Sequence, residues 1–312
     1  MISGLFFENC MRYSLEELYD VFLETGKVCT DTRALIPGSI YFALKGDRFD
    51  GNRFAHRALD QGCRLAVVDD ETIEAQGGLF RVPNVLETLQ QLAKYHRKNL
   101  RIPVVGITGS NGKTTTTLLT NHILQNGGLI SVAAGNVGKS FASVVAKADP
   151  EIAVLEISSF QLDGMFEFKA DIAIITNIVP DHLDRYNNEF QKYVDSKFRI
   201  IQNQSPEDHL VYNADDPVIV NEIEKRKPVA QLYPVSLQNR KYETGAYIND
   251  EKEIVINTKN SSIKMTLEEL ALQGKHNTYN SMAGGVAAKL LEIRKDTIKK
   301  CLSDFQNVEH RL

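Results

Sequence analysis

The sequence predicts an α/β protein in two parts, a small N-terminal α/β unit followed by a larger unit whose mostly parallel sheet is flanked by helices. Three observations carry this expectation. At 312 residues the chain is too long for one ordinary small domain. From residue 103 onward, apolar runs of strand length alternate with helical stretches, the pattern of a parallel sheet covered on both faces. A glycine loop stands where one buried strand gives way to a helix.

The elements follow in order. Ser14-Leu15-Glu16-Glu17-Leu18 is a helix start, with a Ser N-cap, Glu three residues later, and apolar spacing through Val21 and Phe22. Ser39 to Leu44 reads as a strand after the Pro37-Gly38 turn. Phe54 to Gln61 is a short helix stopped by Gly62, and Leu65 to Val68 a strand stopped by Asp69-Asp70. This first domain is expected to span 1–82. Between Asn84 and Asn99, Val85, Leu86, Leu89, Leu92 and Ala93 recur at helical spacing, so 83–102 reads as a connecting helix and linker.

The second domain is expected over 103–312. Val104 to Thr108 is a near-continuous apolar run of the buried, parallel kind. Further strands are expected at Ile130–Ala134, Ile152–Ile157, Ile172–Asn177 and His209–Tyr212. Short strands fill 243–268, with turns at Asn249-Asp250 and Asn260-Ser261, and two helices, Asn277–Glu292 and Lys295–Ser303, close the chain.

Composition removes several function classes. With a net charge of −4 and its Lys and Arg scattered among acids, the chain has no basic stripe for nucleic acid. No run approaches the ~20 apolar residues that span a bilayer, so membrane insertion is not expected. Cys10, Cys29, Cys63 and Cys301 form no CxxC pair, so neither zinc spacing nor a disulfide framework is expected, and the setting is read as cytoplasmic.

The chemistry-bearing motif is Gly109-Ser110-Asn111-Gly112-Lys113-Thr114. A loop between a strand and a helix start turns backbone N–H groups toward an anion, and the helix dipole adds to them. Lys113 would supply a point charge to the β- and γ-phosphates, and the Thr114 hydroxyl would ligate Mg²⁺. Gly109 is separated from Gly112 by two residues and Gly106 by five, so neither has the common four-residue spacing. The departure points to a particular subset of phosphate loops.

Thr108 to Thr116 resembles the signature of the Mur ligases, which build the peptide stem of peptidoglycan. The folylpolyglutamate synthetases share a related loop. Gly135-Asn136-Val137-Gly138, Glu156 to Leu162, Asn177 to Arg185, Asp195 to Arg199, Gly274 to Asn280 and His310-Arg311 are similar to the D-glutamate-adding type, MurD. Together these segments cover 103–312. Thr30-Asp31-Thr32-Arg33, Pro37-Gly38, Phe42 to Gly46 and Phe49-Asp50-Gly51 resemble instead the first domain of the MurF and MurE types, which grips the UDP end of a longer substrate. A fusion of two family members is therefore expected, an engineered one in preference to a natural mosaic. The resemblance also implies a C-terminal ligase domain after His310-Arg311, which is taken as absent from this chain.

The resemblance implies an ATP-dependent ligase that phosphorylates a carboxylate and lets an amine attack the acyl phosphate. Its expected partners are a UDP-N-acetylmuramoyl peptide and an amino acid such as D-glutamate, and the chain is expected to act as a monomer. The implied catalytic residues are Lys113, Glu156, His182 and Lys197. Two Mg²⁺ ions would be held by Thr114, Glu156, His182 and Lys197, the last carbamylated by CO₂. Gly109, Ser110, Asn111, Gly112, Lys113, Thr114, Thr115, Asn277, Asn280 and Arg311 would contact the nucleotide. Asn136, Ser158 and His182 would contact substrate, with Thr32, Arg33, Asp50 and Gly51 at its UDP end. Plainer readings stand beside these. Lys197 can be an exposed helix lysine, Asn277 and Asn280 can be caps, and Asp50-Gly51 can be a turn. Three other functions stand beside the ligase: a binding fragment without turnover, a MurF-like D-alanyl-D-alanine-adding ligase, and a folylpolyglutamate synthetase relative.

Overall fold

A computed structural model describes residues 14–46, 49–100, 102–138, 141, 144, 150–259 and 261–306. The chain divides into two compact units, one holding the described residues through Leu100 and the other beginning at Ile102. Each is a parallel sheet under helices.

In the first unit, β1 (Val28–Cys29), β2 (Ile40–Phe42), β5 (Leu65–Val68) and β6 (Leu79–Arg81) form one parallel sheet in the order β1-β2-β5-β6. The strands β3 (Lys45–Gly46) and β4 (Phe49–Asp50) pair apart from it as an antiparallel ribbon. Successive side chains on a strand point to opposite faces, and this sheet uses both. Ile40, Phe42, Leu65 and Val67 face Leu18 and Phe22 of α1 (Leu15–Thr25) and Val85 and Leu92 of α3 (Val85–Leu100). Tyr41, Ala43, Ala66 and Val68 face Ala55 and Ala58 of α2 (Ala55–Asp60). The helix expected as a connector therefore also closes the first unit's own core. Its start is held by Asp69, whose carboxylate accepts the Val85 N–H at 3.2 Å. The predicted capping box of α1 is present: the Ser14 hydroxyl accepts from the Glu17 N–H, and the Glu17 carboxylate accepts from the Ser14 N–H.

The second unit is a nine-stranded sheet. Its strands are β7 (Val104–Thr108), β8 (Ser131–Gly135), β9 (Ile152–Glu156), β10 (Ile172–Ile175), β11 (His209–Asn213), β12 (Gln231–Val235), β13 (Gly245–Ile248), β14 (Glu253–Thr258) and β15 (Ser261–Thr266). The spatial order is β15-β14-β13-β12-β11-β10-β7-β9-β8, parallel except for the β13–β14 and β14–β15 pairs. The strand β12 has no counterpart in the sequence reading. Its Pro234 and its mixed polar pattern hide a buried parallel strand.

Helices cover both faces of the central strands, as near-continuous apolar runs require. On one side α4 (Lys113–Asn126), α8 (Lys275–Leu290) and α9 (Lys295–Asp304) pack on Val105, Ile107, Val154 and Ile174. On the other, Tyr193, Val194 and Phe198 of α6 (Phe190–Phe198) and Ile219 and Ile223 of α7 (Pro217–Arg226) pack on Val104, Leu155 and Ile175. The short α5 (Ser159–Asp163) follows β9. Fully burying a Leu or Ile side chain stabilises by about 1.5–3 kcal/mol. Leu119, Ile123 and Leu124, all buried, thus anchor the helix that carries the glycine loop.

Progress across the sheet reverses around β7. After β9 on one side of it, the chain crosses to β10 on the other. In open α/β sheets, ligands bind outside the carboxyl ends of the strands at such a switch point. The glycine loop, Asn136, Glu156 and Thr176-Asn177 all follow carboxyl ends of these strands.

Candidate active site

The loop after β7 is shaped by its neighbour β10. Ser110 donates its N–H to the Asn177 carbonyl at 2.8 Å, and Asn111 donates its N–H to the Asn177 side-chain oxygen at 2.9 Å. Thr176 Oγ1 and Asn177 Nδ2 both donate to the Asn111 carbonyl, at 2.7 and 2.9 Å. The backbone N–H groups of Ser110 and Asn111 thus hold the loop's form. The donors left for an anion are those of the first helical turn. The first intrahelical bond is Thr116 N–H to the Gly112 carbonyl, so the N–H groups of Lys113, Thr114 and Thr115 precede the helical ladder. They point out of a helix N-terminus, where the dipole favours negative charge.

Gly112 shows why this loop needs glycine. Its φ of 82° lies in the left-handed region, and a Cβ there would stand 2.5 Å from Asn280 Oδ1. The same contact puts Asn280, buried on α8, directly against the loop.

Glu156 is the junction of the site. It is 2% exposed, at the end of β9. Thr114 Oγ1 donates to its Oε2 at 2.7 Å, and Asn136 Nδ2 donates to its Oε1 at 2.9 Å. The Asn136 backbone N–H also donates to the Glu156 carbonyl at 2.8 Å, which fixes the end of β8 against the end of β9.

Two amines frame the loop. Lys113 Nζ donates to the Ser110 carbonyl at 2.9 Å, and burial lowers its pKa against the pull of Glu156 and Asp181. Lys197 Nζ donates to the Gly109 carbonyl at 2.7 Å and lies 4.6 Å from the centre of the Tyr193 ring. Burial, with the Lys113 charge added, pushes its pKa down to about 7, and Asp181 opposes the shift only in part. Lys197 is 2% exposed, so the exposed-lysine reading of this position is overturned. On α6 it faces the site and not the solvent.

The structure brings together Gly109, Ser110, Asn111, Gly112, Lys113, Thr114, Asn136, Glu156, Lys197 and Asn280. Thr115 lies in the same helical turn. Of the other candidates, Asn277 meets this group through its Oδ1, which accepts from Asn280 Nδ2 at 3.5 Å. His182, with a left-handed φ of 49°, places its ring 3.6 Å from the Asp181 carboxylate and 5.3 Å from the centre of the Phe160 ring, and shares no hydrogen bond with Glu156. Ser158 caps α5 in a capping box with Gln161. Asn277 Nδ2 donates to the Gln273 carbonyl at 3.0 Å. Arg311 lies outside the described residues.

In the first unit, Asp31, Thr32, Arg33, Phe49, Phe54 and Arg57 line one cleft. Arg33 grips the Asp31 carboxylate at 3.0 Å, and those hydrogen bonds lower the Asp31 pKa to about 2. Phe49 and Phe54 stack with centroids 5.6 Å apart. Asp50 ends β4 and caps the 3-10 turn that Gly51 opens. The Asp50 carboxylate accepts from the Asn52 N–H at 3.0 Å, and the Gly51 carbonyl accepts from the Tyr41 hydroxyl at 3.0 Å.

The sequence reading passed over Tyr193. Its hydroxyl shares a 2.9 Å hydrogen bond with Ser110 Oγ, and its ring underlies Lys197. The available signal was its position four residues before Lys197, one turn away on the same helix face. Tyr193→Phe removes one buried hydrogen bond, so a loss of about 0.5–1.5 kcal/mol in unfolding free energy is expected in urea titration. A larger loss would show that the ring itself had shifted.

The same elements have known counterparts. A model of the Mur ligase middle domain matches residues 107–288, more than half of the chain. The chain belongs to the Mur ligase family. A second model, described as the Mur ligase family catalytic domain, matches residues 26–97 of this Mur ligase. The UDP-N-acetylmuramoylalanine–D-glutamate ligase of Christiangramia forsetii is 51% identical over 211 residues, 68% of this chain and 47% of that protein. The ligase of the same name from Bacteroides fragilis is 51% identical over 209 residues, 67% of this chain and 46% of that protein. This Mur ligase chain thus spans about half the length of the curated relatives it matches. Among solved structures, MurF from Acinetobacter baumannii has a TM-score of 0.71 at 21% identity, covering 97% of this chain and 70% of that one. MurF from Thermotoga maritima in complex with ADP has a TM-score of 0.70 at 19% identity, covering 93% and 67%. At such identities the likeness bears on the Mur ligase fold alone.

Proposed function

We propose that this chain binds ATP with Mg²⁺ at the Gly109–Thr114 loop and serves an amide-forming ligation. The carboxylate of a UDP-N-acetylmuramoyl peptide is activated as an acyl phosphate, and an amino acid, D-glutamate first among the candidates, supplies the attacking amine. The observation that carries the reading is the buried Glu156 carboxylate joined to Thr114 and Asn136 beside two depressed-pKa lysines. At the carboxyl ends of β7 and β9 the carboxylate would serve a metal ion, the helix start would cradle phosphate and the lysines would add the positive charge needed where two anions are drawn together. The names of the relatives at 51% identity support D-glutamate as the acceptor.

The oxygen donors fit Mg²⁺. The Thr114 hydroxyl and the Glu156 carboxylate are hard ligands 2.7 Å apart, and they would hold the ion, which when bound offsets polyphosphate charge. Lys113 would leave the Ser110 carbonyl for the β- and γ-phosphates. Lys197, with a pKa near neutrality, has an unprotonated fraction able to attack CO₂, forming a carbamate and releasing a proton. The carbamylated side chain would be an anion suited to a second Mg²⁺, with His182 reaching the site by movement of its loop. Asn277 and Arg311 are retained as nucleotide contacts in this reading, and the Thr32–Arg33 cleft as the seat of the UDP end.

The chain is read as two domains, 1–82 and 103–312, joined by the 83–102 helix, and as a monomer of the cytoplasm. No helix among the described residues is long and apolar enough to cross a membrane. The fusion of a MurF-like first domain to a MurD-like middle domain is supported by two comparisons. The glutamate ligases align with about two thirds of the chain, whereas the MurF fold covers nearly all of it.

Calorimetric titration of ATP with Mg²⁺ tests the nucleotide site. Wild type is expected to bind, and Lys113→Ala about 10- to 100-fold more weakly, the worth of a charged hydrogen bond. Equal binding by both would sink the assignment of Lys113. Release of ADP in the presence of UDP-N-acetylmuramoyl-L-alanine and D-glutamate would identify the acceptor. ATP binding without ADP release would favour a second reading, nucleotide binding without turnover.

A further inference from the structure

The far end of the loop-bearing helix carries a cluster that the ligase chemistry does not use. His122 lies on α4, and Cys301 and Asp304 stand three residues apart on α9, which packs against it. One ligand atom from each lies within 4.8 Å of the other two. His122 Nε2 is 3.5 Å from Asp304 Oδ1. Cys301 is 1% exposed at the floor of the cluster, whereas the imidazole and carboxylate are open to solvent on one side. A cleft lined by Leu118, Asn121, Gln125, Phe305 and Gln306 runs beside them.

We infer that His122, Cys301 and Asp304 form a binding site for one thiophilic divalent transition cation of the Zn²⁺ class. A thiolate, an imidazole and a carboxylate are the ligand types that Zn²⁺ takes, and three protein ligands leave a fourth position for water. The thiolate selects against Mg²⁺ and Ca²⁺, which prefer oxygen throughout. The side chains need only small movements, because bonds of about 2.0–2.3 Å to a common tetrahedral centre place ligand atoms roughly 3.3–3.8 Å apart. The open cleft supplies the fourth position, with the Asn121 and Gln125 amides at its wall to hold a bound water. Asn126 Nδ2 donates to the His122 carbonyl at 2.8 Å and stands 3.4 Å from His122 Nδ1, which braces the ring with Nε2 toward Asp304. Cation uptake converts the Cys301 thiol to thiolate and releases one proton. That proton competes with the cation for the sulfur, so affinity falls as pH is lowered.

The site is separate from the ATP site. His122 is about two and a half helical turns beyond Lys113, on the order of 13 Å along α4. The cation clips the far end of α4 to α9 and does not touch the phosphates.

Co²⁺ added to the metal-stripped full chain tests the site, since cobalt–thiolate ligation produces a charge-transfer absorption in the near ultraviolet. Wild type is expected to show that band, saturating at one Co²⁺ per chain, and to lose it on addition of Zn²⁺ but not Mg²⁺. Cys301→Ser is expected to abolish the band. Because that change lies in the core, His122→Ala at the surface serves as the second variant, with Co²⁺ affinity expected to fall at least tenfold while ATP binding is kept. A wild type without the band, a band that survives Cys301→Ser, or undiminished affinity in His122→Ala would each overturn the site.

Discussion

The stability of this Mur ligase chain is expected to rise with pH from about 7 to about 9, and Lys197→Met is expected to flatten that rise. The cause is the buried Lys197 amine, whose pKa falls from 10.5 in the unfolded chain to about 7 in the fold. Between those values the unfolded chain binds a proton that the folded chain does not, so unfolding free energy increases with pH. The slope from this one group is about 1.4 kcal/mol per pH unit, and it vanishes below pH 7, where both states are protonated. Lys113, also depressed by burial, adds a slope of the same sign, whereas the raised tyrosines Tyr41 and Tyr279 oppose it only above about pH 10. Urea unfolding at several pH values in wild type and variant isolates the Lys197 share as the difference in slope. Parallel curves would mean that Lys197 stays charged in the fold. Repeating the series with bicarbonate extends the test to carbamylation, because trapping the neutral amine stabilises the folded state further.

Gly135→Ala is expected to cost about 2–5 kcal/mol and to weaken nucleotide binding with it. The residue has φ of 101°, and a Cβ there would stand 2.2 Å from the Glu156 carbonyl oxygen. Left-handed backbone costs an alanine roughly 1–2 kcal/mol, and a contact against backbone is relieved only by moving a strand, at about 1–3 kcal/mol more. The strand that would move is the end of β8, and Asn136 follows it directly. The substitution therefore loosens the Asn136 clamp on Glu156 as well as the fold. The urea midpoint and ATP titration measure the two effects. A stability change below about 1 kcal/mol would show that β8 can shift without strain, and the pairing of Gly135 with Glu156 would lose its importance.

The strands that matter most were legible because they are buried on both faces. Val104–Thr108, Ile152–Glu156 and Ile172–Ile175 are buried along their whole length and apolar up to the closing Thr108 and Glu156, and that is the signature of a parallel sheet under two layers of helix. The glycine loop was legible for a related reason. Its backbone conformation demands glycine at 112, and the lysine and threonine follow it at the spacing expected of a phosphate loop. Other features were hidden. The strand β12 mixes polar residues and a proline, and Pro234 is accommodated in a parallel pair with β11, an arrangement that local propensity disfavours. The role of α3 in the first core depended on which residues Val85 and Leu92 would meet.

Sequence by itself determined the fold class and the glycine loop, and it singled out Lys113, Thr114 and Glu156 as candidates beside that loop, because these follow from local pattern and residue chemistry. Tertiary structure decided the rest. It tied the Ser110 and Asn111 N–H groups to Asn177 and left the first turn of α4 to face an anion. It buried Lys197 beside Lys113, and only burial and a neighbouring charge can bring a lysine pKa to about 7. It set His182 against Phe160 and gathered His122, Cys301 and Asp304 from positions 182 residues apart at the ends. Distances between side chains on different elements depend on how strands and helices pack, and no spacing along the chain encodes them.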